Sequence, residues 1–162
     1  MNRKLFFSVY NFTKNHKIAK TLGILIAKYS QKFFVLVYVI GIILVYKYNF
    51  NSLIKFILIP LITLVYNSFL RHKLNAQRPF VKEDITPFIE HETTGSCPSN
   101  HGASSMIIAM AYFCINPYIA LVLVVLAAIT GISRVMTGVH YPFDILLSWV
   151  IAWVIGTIGF LI

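Results

Sequence analysis

"GASSMIIAMAYFCINPYIALVLVVLAAITGIS", residues 102–133, contains no charged side chain, and its reading decides the fold. A helix crosses a hydrocarbon core of about 30 Å with about 20 residues, so this run is too long for a single crossing. Asn116-Pro117 supplies the break, because proline starts a helix well but cannot continue one without losing a backbone hydrogen bond. Two spans, at about 100–115 and 117–135, follow. Other uncharged runs cover 33–46, 56–70 and 145–162. The first two reach spanning length once Lys32, Lys47 and Lys55 extend their ammonium groups to the interface. The expected spans are therefore about 31–48, 51–71, 100–115, 117–135 and 142–161.

Composition agrees. The chain has 162 residues, 58% of them hydrophobic and 12% charged, with a mean hydropathy of +0.77, which is more apolar than a water-soluble domain of this size. The expected fold is an all-α integral membrane protein. One membrane-embedded domain over 1–162 would hold five transmembrane helices plus an N-terminal amphipathic, or short sixth, helix. Ile18, Leu22, Leu25, Ile26 and Tyr29 share a helical stripe, with Lys17, Lys20, Thr21 and Lys28 mostly opposite. Residues 1–30 thus fit either a helix lying among headgroups or a short bundle helix. Lysines at 14, 17, 20 and 28 interrupt any signal-peptide core. The net charge of +9 suits anionic headgroups or a lipid phosphate rather than nucleic acid, for which no soluble basic face exists. Cys97 and Cys114 would sit about 20 Å apart along the third span, too far to bridge, and are expected as free thiols.

One long polar connection remains, 72–99, "HKLNAQRPFVKEDITPFIEHETTGSCPS". Helix parity places it on the same membrane face as the end of the fourth span and the start of the fifth. "RHKLNAQRP" (71–79), "CPSNH" (97–101) and "SRVMTGVHYPFD" (133–144) then converge there. An ionisable group at membrane depth costs roughly 2.5–3.5 kcal/mol on insertion scales, so such a cluster is read as functional by default.

These residue types suit phosphoryl chemistry. Arg71, Arg78 and Arg134 can clamp phosphate bidentately at any accessible pH. Any one of them could be an ordinary snorkelling residue; three beside two histidines are harder to explain that way. Ser99 and Asn100 sit where a helix N-terminus offers unpaired amides to an anion, or where they simply cap the helix, and the two roles are compatible. His140 stands four residues before Asp144, which can receive one imidazole N–H, fix the tautomer and leave the other nitrogen free to attack phosphorus. His101 can serve as general acid. Glu83, Asp84, Glu90 and Glu92 lack metal-ligand spacing, so neither metal nor cofactor is expected, and the arginines would stabilise the transition-state charge. His16, His72 and His91 read as interfacial or solvated residues, and Tyr141 as either a pocket wall or an interfacial belt residue.

The same residues resemble the three signatures of the type-2 phosphatidic acid phosphatase family, which shares its site with vanadium-dependent haloperoxidases. Arg71, six residues, then Arg78-Pro79 stand for the first, with Arg in place of Lys. Pro98-Ser99-Asn100-His101 stand for the second, with Asn in place of Gly, and Ser133-Arg134, His140 and Asp144 complete the third. Arg71 keeps the charge with different reach, and Asn100 adds a side chain beside the phosphate. The resemblance implies a phosphohistidine on His140 oriented by Asp144, acid catalysis by His101, and phosphate held by Arg71, Arg78, Arg134, Ser99 and the Asn100 amide.

"AKYSQKFF", "QRPFV" and "GVHYPFD" are similar to small bacterial undecaprenyl-diphosphate phosphatases of the bacitracin-resistance type. That likeness implies recycling of the cell-wall carrier lipid at the outer face of the bacterial cytoplasmic membrane. A phosphatidic acid or phosphatidylglycerophosphate phosphatase is the enzymatic alternative, and an anion-binding or transport protein the non-enzymatic one. The latter needs neither the His140–Asp144 pair nor His101. With five spans, the basic stretch Arg3 to Lys32 lies on the catalytic face, against the positive-inside preference if that face is external.

Overall fold

The computed structural model describes residues 2–161, and all regular structure among them is helical. The chain runs α1 (Asn2–Asn15), α2 (Lys17–Tyr48), α3 (Leu53–Leu74), a single turn α4 (Pro79–Lys82), α5 (Asn100–Ala111), α6 (Pro117–Met136) and α7 (Pro142–Leu161). Among the described residues, four stretches are long and apolar enough to cross a membrane: Lys17–Tyr48, Phe50–Lys82, Pro117–Met136 and Pro142–Phe160.

The break at Asn116-Pro117 falls where the sequence places it. Asn116 caps α6 through its side-chain oxygen, which accepts from the amides of Tyr118 and Ile119, and Pro117 occupies the first turn. The expected third span is shorter than anticipated. α5 has 12 residues, extended by a 3-10 turn over Tyr112–Cys114, and reaches only about 24 Å. Every residue from Gly102 to Ala111 is buried, because α2, α3, α6 and α7 all pack around this helix. A helix without a polar face belongs inside a bundle, and α5 is that central post.

Residues 1–30 do not form one amphipathic segment. α1 ends at Asn15, and α2 then runs 32 residues without interruption, about 48 Å, longer than the roughly 30 Å hydrocarbon core requires. The apolar stripe points outward: Ile18, Leu22, Leu25 and Tyr29 are exposed, while Gly23, Ala27, Ser30 and Phe34 are buried. Lipid tails are as apolar as leucine, so helices associate through small residues that let backbones approach. Gly23 faces Met136 of α6, and the Ala27 carbonyl accepts from Arg134.

α1 is the additional helix. It buries Phe6 and Tyr10 in a cluster with Val135 of α6 and Ile145 of α7, with Ile85 and Phe88 of the connection between α3 and α5 packed against it. Tyr10 stacks on Phe88 and donates to the Thr86 carbonyl at 2.7 Å, and Phe6 meets Tyr141 edge-on. Gly138, in the left-handed region at φ +81, ends α6; a Cβ there would press on the Tyr10 ring at 3.1 Å. The connection itself is tied down. The Phe88 amide donates to the Thr137 carbonyl and the Ser96 amide to the Ala76 carbonyl, both at 2.9 Å. Cys97 and Cys114 are free thiols, as expected.

Candidate active site

α3 and α6 end, and α5 and α7 begin, at the same end of the bundle, so the three separated stretches meet there. Arg78, Ser99, Arg134, His140 and Asp144 are all buried, while Arg71, Asn100 and His101 are half-buried. The three stretches expected from parity to converge meet at this end of the bundle.

Arg78 is fully enclosed. Its Nη1 donates to the Val139 carbonyl at 3.0 Å and lies 3.2 Å from His140 Nε2, and its Nη2 donates to the Gly95 carbonyl at 3.4 Å. A guanidinium has no acceptor, so His140 Nε2 must carry the lone pair and Nδ1 the proton. Ser99 Oγ, 3.3 Å from the same Nε2, fits that tautomer as donor. His140 Nδ1 faces Asp144 Oδ2 at 3.5 Å, a contact that falls outside hydrogen-bond geometry. Asp144 is itself fixed: Oδ2 accepts from the Ser96 hydroxyl and, at 2.9 Å, from the Tyr141 amide.

Arg134, in the last turn of α6, donates to the Ala27 carbonyl of α2 at 3.3 Å. The Nε atoms of Arg78 and Arg134 and the Nδ1 atoms of His91 and His140 are buried without hydrogen-bond partners. The two guanidinium N–H groups are obligatory donors, expensive to bury without acceptors, and an anion reaching Arg78 and Arg134 would remove that cost. Ser99 caps α5, its hydroxyl accepting from the Gly102 amide, which leaves the Asn100 and His101 amides without intrahelical acceptors by position.

Arg71 sits at the rim. Its guanidinium lies 3.5 Å from the exposed Glu92 carboxylate and against Gly95, where a Cβ would come within 2.7 Å of Nε. Arg71, Glu92, Gly95 and Asn100 line a cavity of about 290 Å³. Asn100, in the place of the family's Gly, turns its side chain away: Oδ1 accepts from Nδ2 of buried Asn67 at 2.7 Å. The added side chain is therefore accommodated by α3.

His91 corrects the sequence reading. It is not a solvated loop residue; its ring centroid lies 6.3 Å from that of His101 and 6.2 Å from that of His140. Burial pushes its pKa down to about 3, with Arg78, Arg134, His140 and His101 adding to the depression. Burial likewise lowers His140 to about 4; Asp144 opposes this, and Arg78 and Arg134 add to it. Both rings are neutral near pH 7. Asn67, His91, Gly95 and Ser96 were missed because no spacing rule marks them. An unusual histidine in the polar connection was the only available signal for any of them.

Tyr141, left open between pocket wall and interfacial belt, is half-buried, and its hydroxyl donates to Glu83 Oε1 at 2.8 Å. Arg3 Nε reaches Glu83 Oε2 at 2.7 Å, so α1 is strapped to the residue after His140. The Arg3 and Tyr141 hydrogen bonds hold the Glu83 carboxyl below its ordinary range.

A bundle whose helix ends bring buried arginines and a carboxylate-backed imidazole together defines a class, and the sequence comparison identifies it. The family model of the PAP2 superfamily matches residues 52–162, and the chain belongs to that superfamily. It is similar to the undecaprenyl-diphosphatase BcrC of Bacillus subtilis (strain 168), at 27% identity over 99% of this chain and 83% of the relative. The putative undecaprenyl-diphosphatase YbjG of Escherichia coli (strain K12) is 35% identical over 54% of this chain and 44% of its own length. Two crystal structures share the fold. LpxE of Aquifex aeolicus superposes with a TM-score of 0.75 at 22% identity, covering 99% of this chain and 95% of that one. A PAP2-type phosphatidylglycerolphosphate phosphatase of Bacillus subtilis gives 0.64 at 18%, covering 97% and 83%.

Proposed function

We propose that this multi-pass membrane protein is a metal-independent lipid phosphatase that removes the terminal phosphate of undecaprenyl diphosphate through a phosphohistidine on His140. The observation that carries the reading is the 3.2 Å approach of Arg78 Nη1 to His140 Nε2, with Nδ1 turned to Asp144. It presents a lone pair next to a fixed cation, the arrangement a phosphorus electrophile needs.

In the proposed reaction, His140 Nε2 bonds to phosphorus as the bridging P–O bond breaks, and His101 gives a proton to the leaving oxygen. Arg71, Arg78, Arg134, the Ser99 hydroxyl and the Asn100 amide hold the non-bridging oxygens. Water then attacks phosphorus, passing a proton to His101; the P–N bond breaks, His140 recovers its lone pair and phosphate departs. The arginines supply the charge stabilisation, and no step draws on a metal.

Similarity to the undecaprenyl-diphosphatase BcrC and the putative undecaprenyl-diphosphatase YbjG supports the polyprenyl substrate. The fold shared with a phosphatidylglycerolphosphate phosphatase favours a glycerolipid phosphate as the second reading. Placement in the bacterial cytoplasmic membrane, with the site on its outer face, follows from the resemblance to carrier-lipid phosphatases. Purified protein in detergent with EDTA, offered undecaprenyl diphosphate, phosphatidic acid and phosphatidylglycerophosphate, is the test. Phosphate release at least about tenfold faster from the diphosphate is expected. Preference for a glycerolipid selects the second reading, and no release from any lipid phosphate rejects the enzyme in favour of an anion-binding or transport protein.

A further inference from the structure

The connection between α3 and α5 places one polar ring where the reaction above assigns nothing. His91 stands nearly equidistant from His101 and His140, at 6.3 and 6.2 Å between ring centroids. Its neighbours in sequence, Glu90 and Glu92, are exposed, so the chain turns this one side chain inward. Its Nδ1 is buried and has no hydrogen-bond partner. The segment is held in place by the Ser96–Ala76 and Phe88–Thr137 backbone bonds, and Glu92 reaches Arg71.

We infer that His91 contacts the leaving group, donating an imidazole N–H to the phosphate that stays on the lipid, and thereby selects lipid diphosphates over monophosphates. This rests on the proposed phosphatase reaction. If His140 attacks and His101 protonates the departing oxygen, the breaking P–O bond lies between their rings, and His91 flanks it. A monoester releases one alkoxide oxygen, which the His101 proton satisfies. A diphosphate releases a phosphate whose remaining oxygens still carry charge and need further donors. The arginines serve the transferred phosphoryl group, and His91 offers a nitrogen that nothing else uses. Burial and the surrounding cations keep its ring neutral, so it can donate without adding repulsion among Arg78 and Arg134.

The test compares farnesyl diphosphate with farnesyl monophosphate, which differ only in the retained phosphate, as substrates of the full chain in detergent. His91→Ala is expected to lower kcat/KM for the diphosphate by about 10–100-fold, the range of one hydrogen bond to a charged group, and for the monophosphate by less than about threefold. His91→Asn, which keeps an N–H donor, is expected to recover part of the diphosphate loss and none of the small monophosphate loss. Equal losses on both esters would make His91 a structural support, and no loss on either would remove it from the site; both overturn the inference while leaving the phosphatase reading intact. A wild-type protein inactive on both esters overturns the two together.

Discussion

Arg78 Nη1 lies 3.2 Å from His140 Nε2, and this contact fixes which ring nitrogen is unprotonated. The same guanidinium holds the carbonyls of Val139 and Gly95, so it ties the end of the α6–α7 turn to the connection before α5. Lysine could match the charge but not three directed contacts. Arg78→Lys is expected to lower kcat by about 10²–10³-fold, and Arg78→Ala by at least as much. Steady-state phosphate release measures both, and activity of Arg78→Lys within about fivefold of wild type would show that charge alone suffices.

Asn67 and Asn100 form a pair that the sequence does not announce. Asn100→Gly restores the family's usual residue but leaves the buried Asn67 amide without its acceptor, at a cost of about 1–3 kcal/mol. The double variant Asn67→Leu/Asn100→Gly should regain stability, because neither polar group remains. Thermal unfolding in detergent reads both; an Asn100→Gly variant as stable as wild type would show that Asn67 finds another partner.

Gly95 has φ +66 and lies against Arg71. Gly95→Ala both strains the backbone and displaces the guanidinium, so KM for the lipid phosphate should rise by about tenfold with a smaller change in kcat. Unchanged KM would place Arg71 outside the phosphate site.

α1 contributes by packing more than by charge. Arg3 is 71% exposed while the Glu83 side chain is only 6% exposed, but the Tyr141 hydroxyl still donates to Glu83 when Arg3 is lost, so Arg3→Ala should cost about 1 kcal/mol. Phe6 is fully buried among Phe7, Tyr10 and Tyr141, and Phe6→Ala should cost about 3 kcal/mol. Reversal of that order in unfolding measurements would make the strap electrostatic.

Acid should weaken the fold. The His140 and His91 rings are held at about 4 and about 3 in the native protein, below the ordinary value near 6.5. The unfolded chain therefore binds more protons at low pH, and stability is complete above about 6.5 and falls as pH drops toward the native values. For His140 the loss by pH 4 is about 3 kcal/mol. A His140→Asn variant should show a shallower decline, and identical slopes would mean the ring is not held neutral by its surroundings.

The site was more legible than the packing. Arg134, His140 and Asp144 stand out because charge is rare in so apolar a chain, and the Asn116-Pro117 break fixes the parity that brings them to Arg78 and Ser99. The role of residues 1–30 was not legible, because an apolar stripe says nothing about burial when the solvent is lipid. Ile18 and Leu22 face outward, and Gly23 and Ala27 face the bundle. Nor could His91 be placed, since its position depends on backbone bonds such as Phe88 to Thr137 that leave no local pattern.

Whether His140 becomes phosphorylated is the most direct question. A single turnover with substrate labelled in its terminal phosphate, quenched in alkali and mapped by peptide, should place the label on His140 and on no other residue. His140→Ala should retain neither label nor turnover. Label on another residue, or phosphate release that persists in His140→Ala, would contradict the account.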